Sequence, residues 1–281
     1  PEAGGSLLGD TARLGGTSAQ DWAAAAVAEL ADYPQARVLA RTTAFGYYDD
    51  GFVLALEHRT DHLGERAPEH TARQRIWRIR AKHVIVATGA HERPLVFENN
   101  DRPGVMLAGA ARTYLHRYGV LAGRQAVVFT TNDSAYAAAV DLADAGMTIA
   151  AVIEARPSAP SYWMGPCVRR GIAVAVGQVV CGTTGDASGR VSRAHVAELR
   201  DGKIGSRREI DCDLLLVSGG WNPAVHLFSQ ARGRLRYDTA LGAFLPGESV
   251  PGLGVAGAAS GERTLPGALT GGGQAAGRAL A

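Results

Sequence analysis

Three glycine clusters each follow a short apolar run: Ala87-Thr88-Gly89 after Val84–Ala87, Ser218-Gly219-Gly220 after Leu214–Val217, and Gly257–Gly261 after Val255. Backbone at the carboxyl end of a parallel strand faces the crevice in which α/β sheets bind ligands. A residue without Cβ lets that backbone come close to a phosphate or a ribose. Taken singly, each cluster also reads as a plain strand-to-loop turn. Three in this order are a more specific signal than any one alone. The last cluster precedes a helical stretch, and a helix amino end there would face a pyrophosphate.

Other residues offer weaker chemistry. Arg93, in the segment His91–Pro94, suits phosphate or carboxylate recognition, or else an ion pair with Glu92 or Asp101 that fixes the loop. Trp221, after Gly219-Gly220, packs on a cofactor, on a partner or in the core. Glu154 ends a strand about 20 residues beyond the turn Thr130–Ser134, the place of a ribose-binding acid. That turn contains no glycine, so a second cofactor is expected to bind there poorly or not at all, with Glu154 a solvated strand end. Cys167, Cys181 and Cys212 are too far apart for a redox pair or a zinc ribbon and read as isolated buried thiols. His58, Asp61 and His62 lie in a polar stretch that reads as solvated loop, with no metal site expected. Arg78, Arg80 and Lys82 share one face of a strand that reads as a solvated edge. No G-x-S-x-G elbow is present.

Alternating strands and helices must position these residues. Ser18–Asp21 forms a capping box for a helix over Asp21–Leu30, before Pro34. Strands are expected at Ala36–Thr43 and Gly51–His58 with a turn at Tyr47–Gly51, and another at Gln74–Arg80 after a polar insert. Val84–Ala87 suits the centre of a parallel sheet. A second unit opens near Gly123: strand Ala126–Thr130, a helix capped by Asn132 or Asp133 and stopped at Gly146, and strand Thr148–Ile153. A helix over Tyr162–Arg170, a strand over Ile172–Val176 and a hairpin at Asp201-Gly202 follow. Strands at Leu214–Val217 and Val255–Gly257 and a helix over Ala268–Ala281 close the chain. The class is α/β with parallel sheets.

Composition narrows the function classes. Of 281 residues 36 are glycine, and the formal net charge is +2. Hydrophobic residues make up 46% of the chain and charged ones 20%, enough to build a core and incompatible with disorder. No apolar run of about 20 residues is present to span a bilayer. Basic residues are too scattered for a nucleic-acid footprint, and cysteine usage points to the cytoplasm. Residue 1 is proline, no basic-then-apolar leader follows, and the other end falls within a helix, so both ends read as cut from a longer protein.

Six segments together carry a family resemblance: Pro1–Leu7, Ala81–Pro94, Asn99–Met106, Arg112–Leu115, Val127–Tyr136 and Ser218–Pro223. In combination they resemble the alpha subunits of heterotetrameric sarcosine oxidase, with opine and octopine dehydrogenase and hydrogen cyanide synthase subunits as relatives. The broader group is the two-dinucleotide-domain fold of the pyridine nucleotide-disulfide oxidoreductases. The resemblance implies two Rossmann-like domains, the second inserted into the first: residues 1–122, 123–212 and 213–281, with the first Gly-rich βαβ turn upstream of Pro1. It implies a dinucleotide held by Gly4, Gly5, Ser6, Ala87, Thr88, Gly89, Gly257, Ala258 and Gly261, with Arg93 as a further candidate. In such alpha subunits the dinucleotide is NAD in a structural role. Ala258 stands where the broader group, which holds FAD, often has an aspartate.

The implied partners are beta, gamma and delta subunits, with FAD and FMN on or against one of them and folate in a downstream domain. The implied activity of the complex is oxidative demethylation of sarcosine, with no acid, base or nucleophile assigned to this chain. Two alternatives stay open. One is an FAD-binding subunit of an opine or glycine dehydrogenase, and the other a scaffold that has lost its cofactor.

Overall fold

The computed structural model describes residues 3–280; Pro1, Glu2 and Ala281, which the motif Pro1–Leu7 and the final helix were expected to include, lie outside the described residues. The chain forms two compact units. One comprises the residues up to His91 and those from Asn222 onward, and the other is Glu92–Trp221.

The second unit is built on a five-stranded parallel sheet in the spatial order Val174–Val176, Thr148–Glu154, Gln125–Thr130, Leu214–Ser218, Val105–Leu107. Period-two alternation sends the central strand's side chains to two different cores. Ala126 and Val128 pack with Tyr136, Ala139 and Leu142 of the helix Ser134–Asp144. Val127 and Phe129 pack instead with Val180, Val196, Leu215 and Val217. Burial on both faces explains the unbroken apolar run, and each buried Val or Leu contributes about 1.5–3 kcal/mol relative to exposure. A three-stranded antiparallel sheet, Gln178–Gly185, Val191–Arg200 and Lys203–Asp211, covers the second face. Its hairpin reverses at Asp201 (φ +50°) and Gly202 (φ +74°), the two positive φ values a two-residue hairpin turn needs.

This unit is wider at both ends than the 123–212 expected. The strand Val105–Leu107 pairs with Leu214–Ser218, and Ala108 and Ala111 of the helix Ala108–Tyr118 are buried against the same sheet. Three residues are too few to show a periodicity, so the opening strand left no mark in the sequence pattern.

The first unit holds a three-stranded antiparallel sheet, Thr42–Tyr48, Phe52–His58 and Gln74–Arg80. The strand expected at Ala36–Thr43 starts at Thr42 instead, because Tyr47 and Val53 fill the core with Val86 and Leu227. Reversal falls at Asp49–Gly51, where Asp50 has φ +60° and Gly51 φ +64°. Val84–Val86, expected at a sheet centre, pairs in parallel with Leu253–Val255, and among the described residues it has no further neighbour; Ile85 is 40% exposed. The hairpin Leu235–Asp238 with Ala243–Pro246, which the sequence pattern did not reveal, and the helices Ala19–Glu29, His226–Gln230 and Leu265–Leu280 complete the unit. Ser18 caps the helix Ala19–Glu29 as expected, its Oγ accepting from the Asp21 N–H at 3.0 Å. Among the described residues no helix is long and apolar enough to cross a membrane.

Candidate functional site

The first unit gathers two of the glycine turns at one end of its parallel pair. Val86 is in register with Val255, so Ala87-Thr88-Gly89 and Ala256-Gly257 leave the same edge, and the Ala256 N–H donates to the Val86 carbonyl at 3.0 Å. Gly89 has φ +76° and Gly257 φ +65°, and at both a Cβ would meet no atom within 4 Å. A left-handed backbone explains the glycine, and the empty space beside it leaves bare peptide open to a ligand. Thr88 Oγ1 donates to the Ala224 carbonyl at 2.6 Å and the Ala224 N–H to the Gly89 carbonyl at 2.9 Å, which fixes the first turn. Gly257–Ser260 is one tight turn, with Ala258 inside it, closed by the Gly261 N–H on the Ala258 carbonyl at 3.1 Å. At Gly261 (φ +92°) a Cβ would lie 2.9 Å from Leu245.

Gly4-Gly5-Ser6 opens a short 3-10 turn with φ +107° at Gly4 and +54° at Gly5, and Gly5 too has nothing within 4 Å of a Cβ position. Leu7, in the middle of that turn, is buried with Ala19 and Ala23, and Leu265 at the start of the final helix packs on the same cluster. The amino end of that helix is not free for a pyrophosphate. Glu262 accepts from the Thr264 N–H at 2.7 Å and the Thr264 hydroxyl at 2.6 Å, bonds that hold its carboxyl below the usual range. Thr264 Oγ1 accepts from the Gly267 N–H at 3.2 Å, and a Cβ at Gly267 would collide with the Glu262 carboxylate. An anion there would meet a carboxylate. Beside this end lies an open depression of about 560 Å³ lined by Arg236, Leu245, Ser260, Gly261 and Gln274, among others.

The corresponding turn of the second unit is filled by its own side chains. Asn132 Nδ2 donates to the Ser218 carbonyl and hydroxyl, both at 3.0 Å, and Asn132 Oδ1 accepts from the Ser134 N–H at 3.0 Å and its hydroxyl at 2.6 Å. Trp221 Nε1 donates to Ser134 Oγ at 2.9 Å. The glycines of Ser218-Gly219-Gly220 serve close packing: a Cβ at Gly219 would lie 3.0 Å from Leu95 and from the Pro94 carbonyl, and one at Gly220 2.7 Å from the Arg93 guanidinium. Arg93 falls in this unit, and its Nε donates to the Gly219 carbonyl at 3.0 Å.

Glu154 is not a solvated strand end: its side chain is fully buried. Tyr136 donates its hydroxyl at 3.0 Å, and Arg156 donates its backbone N–H at 3.0 Å, Nε at 3.0 Å and one terminal nitrogen at 2.7 Å. That guanidinium also pairs with Asp133 at 2.7 Å. Burial and the neighbouring carboxylate push the Tyr136 hydroxyl well above its usual range, and the carboxylates push Arg156 up. Both oxygens of a would-be ribose acid are therefore committed. The signal was an arginine two residues further on, which sequence alone leaves free to point elsewhere.

Glu92, named from the sequence only as a possible ion-pair partner of Arg93, is half-buried. It accepts from the Gly109 N–H at 2.8 Å and from Ser218, but burial dominates and raises its carboxyl. All three cysteines are free and buried. Asp61 bridges His58 Nδ1 at 2.6 Å and Arg73 Nε at 2.7 Å. Those two bonds, the histidine's first, hold its carboxyl down at about 2.

No protein-family model matches the chain. It is 49% identical over 263 residues to the sarcosine oxidase alpha subunit of Corynebacterium sp. (strain P-1), covering 92% of this chain and 27% of that protein. To the sarcosine oxidase alpha subunit of Rhizobium meliloti (strain 1021) it is 43% identical over 281 residues, 99% of this chain and 26% of that one. An opine oxidase subunit of Agrobacterium tumefaciens (strain Ach5) is 28% identical over 60% of the chain and 36% of its own length. The chain thus spans about a quarter of the sarcosine oxidase subunits it matches. Among solved structures, thioredoxin reductase of Lactococcus lactis aligns with TM-score 0.67 at 16% identity, covering 99% of this chain and 86% of that one. L-proline dehydrogenase of P. horikoshii aligns with TM-score 0.59 at 23% identity, covering 91% of this chain and 43% of that one. These two likenesses establish the fold, a mixed α/β fold with a parallel sheet shared with oxidoreductases.

Proposed function

We propose that this chain, homologous to a segment of the sarcosine oxidase alpha subunit, is the dinucleotide-holding part of an oxidoreductase subunit in a sarcosine-oxidase-like complex. Its first unit holds the dinucleotide, and its second is an inserted Rossmann-like unit with a scaffolding role. The observation that carries this reading is the contrast between the two units. Gly5, Gly89 and Gly257 have left-handed backbone and open space where a Cβ would be, whereas the Thr130–Ser134 turn is closed by Asn132 and the acid Glu154 is committed to Arg156.

Those open turns fit the ribose and phosphate portions of an adenine dinucleotide, which bare peptide N–H groups recognise. A bound dinucleotide supplies two-electron redox capacity where it is positioned to exchange hydride. The chain's own part is to bind and orient it: Thr88 and Gly261 fix the two turns, and Ala87, Ala258, Gly4 and Ser6 complete the lining. NAD is the preferred occupant. Ala258 places no carboxylate in the last turn to meet flavin ribityl hydroxyls, and Glu262 is tied to Thr264. Arg93, the further candidate from the sequence, lies in the other unit, where its Nε donates to the Gly219 carbonyl, and is not part of this set. FAD on an opine- or glycine-oxidising subunit is the alternative, supported by the opine oxidase likeness. On the preferred NAD reading the substrate of the complex is sarcosine, its flavins lie on or against another subunit, and beta, gamma and delta subunits and a folate-binding domain complete it.

The test uses the full-length subunit purified in its complex. Heat release followed by mass spectrometry is expected to yield NAD. Gly89→Val and Gly257→Val are expected to abolish retention, since each removes the bare face and forces a costly left-handed backbone of about 1–2 kcal/mol. Flavins of the other subunits are released as well, so the deciding readout is NAD: its absence from the unaltered complex refutes the NAD assignment, and unchanged dinucleotide content in both glycine variants refutes the site.

A further inference from the structure

We infer that the outward face of the three-stranded antiparallel sheet Thr42–Tyr48, Phe52–His58 and Gln74–Arg80 docks another polypeptide of the assembly, one presenting apolar surface with a carboxylate placed opposite Arg78. This rests on the reading of the chain as part of a larger complex.

Residues directly opposite across an antiparallel pair share a face. The rows Tyr47/Val53/Ile79 and Ala44/Ala55/Trp77 form one face, whose Tyr47, Val53 and Ala55 are buried. The rows Thr43/Leu56/Ile76, Gly46/Leu54/Arg78 and Tyr48/Phe52/Arg80 form the other. An antiparallel sheet with one face on the core ordinarily turns polar side chains to water on the other. Here the outward positions are Tyr48 (50% exposed), Ile76 (59% exposed) and the half-buried Phe52, Leu54 and Leu56 between them. Contiguous apolar surface of this kind marks an interaction site.

The aromatic part is pre-organised. Tyr48 folds its ring over Gly46, where a Cβ would lie 2.6 Å from it, and the Tyr48 and Phe52 rings stand 5.9 Å apart. The Arg80 guanidinium sits over the Phe52 ring at 5.3 Å. Fixed tyrosine, phenylalanine and arginine lose little entropy on association and are the residues that carry binding energy in interfaces.

Charge selects the occupant. Of the arginines in the strand Gln74–Arg80, Arg75 pairs with Glu57 at 3.7 Å and Arg80 with Asp50 at 3.9 Å. Arg78 has no carboxylate partner among the described residues. A second copy docking by the same face would offer Arg78 no carboxylate, because the outward rows carry none, and would bring two arginine-bearing faces together, which disfavours self-association. A different chain with an acidic position satisfies both the apolar strip and the guanidinium of Arg78.

The experiment compares hydrogen–deuterium exchange of the full-length protein by itself and in its complex, with Ile76→Asp and Arg78→Glu as variants. Uptake over residues 42–58 and 74–80 is expected to fall only on assembly. Both variants are expected to weaken assembly about tenfold or more with dinucleotide content unchanged, because this face shares no residue with the glycine turns. The inference is overturned if these segments are equally protected in the isolated protein, which means its own chain covers them. It is equally overturned if they stay unprotected in the complex, if the variants assemble normally, if the face pairs two copies, or if no second polypeptide accompanies the protein. Loss of dinucleotide from the unaltered complex strikes the cofactor reading alone and leaves the assembly result standing.

Discussion

Replacing Arg156 tests the claim that the second unit has turned a nucleotide-type acid inward. Glu154 is fully buried and receives donors from Tyr136 and Arg156, while the Arg156 side chain is 37% exposed. Arg156→Met removes Nε and one terminal nitrogen and leaves the Tyr136 hydroxyl and one backbone N–H on a buried charge. Breaking a fully buried pair costs about 3–5 kcal/mol. Partial exposure of this guanidinium and the two remaining donors lower the expectation to about 2–4 kcal/mol. For a unit of this size that lowers the midpoint of its thermal transition by roughly 10 °C.

The converse change is asymmetric. Glu154→Leu strands no buried charge, because Arg156 reaches water and keeps Asp133. Its cost is the unmet Tyr136 hydroxyl, about 1–3 kcal/mol, so the double variant should be more stable than Arg156→Met alone. Scanning calorimetry of the unaltered protein, both single variants and the double variant measures the cycle. The reasoning fails if Glu154→Leu destabilises more than Arg156→Met, or if the double variant is the least stable of the three.

Two other outcomes follow from titrating groups. Asp61 has its carboxyl lowered to about 2 by His58 and Arg73, so its contribution to stability is complete above the ordinary carboxyl range near 4 and is lost as pH falls through 2. Asp61→Asn should therefore be less stable than the unaltered protein at neutral pH and indistinguishable from it near pH 2, as read by denaturant unfolding. Cys212 is pushed up to about 12 by burial, with Asp213 adding to it. It should resist iodoacetamide in the native protein at pH 8 and react at once in denaturant, which mass spectrometry of the modified peptide reports.

Local signals carried much of the fold. The Ser18 cap, the hairpin turn at Asp201-Gly202 and the doubly buried strand Gln125–Thr130 each rest on residues within a few positions of one another, where propensity and turn chemistry act without tertiary help. The strand Gln178–Gly185 is hidden in the sequence because its register shifts between Val180 and Gly182. That shift breaks the period of two by which a strand is recognised. Thr42–Tyr48 lies away from its expected place because its position is set by Tyr47 meeting Leu227 and Val86, residues far away in sequence. Glu154 departs from expectation for the same reason, since a charge at a strand end looks solvated until Tyr136 and Arg156 are folded onto it.

Glycine itself carries two physical messages that sequence writes with one letter. At Gly219 and Gly220 the missing Cβ admits Leu95, Pro94 and the Arg93 guanidinium, so the space is already spent on protein. At Gly89 and Gly257 the same absence follows from φ of +76° and +65°, and the space beside the backbone stays open. Three clusters in the right order therefore reduce to two that can receive a ligand, both at the end of one parallel pair. Gly5 adds a third open backbone, outside the clusters that follow strands, linked to the final helix by the packing of Leu7 with Leu265. Because an open Cβ sphere is a property of neighbours and not of the glycine, only the folded chain separates a turn that packs from a turn that binds. By that criterion the candidate site belongs to the first unit, and the second unit's own side chains occupy the turn where a second nucleotide would sit.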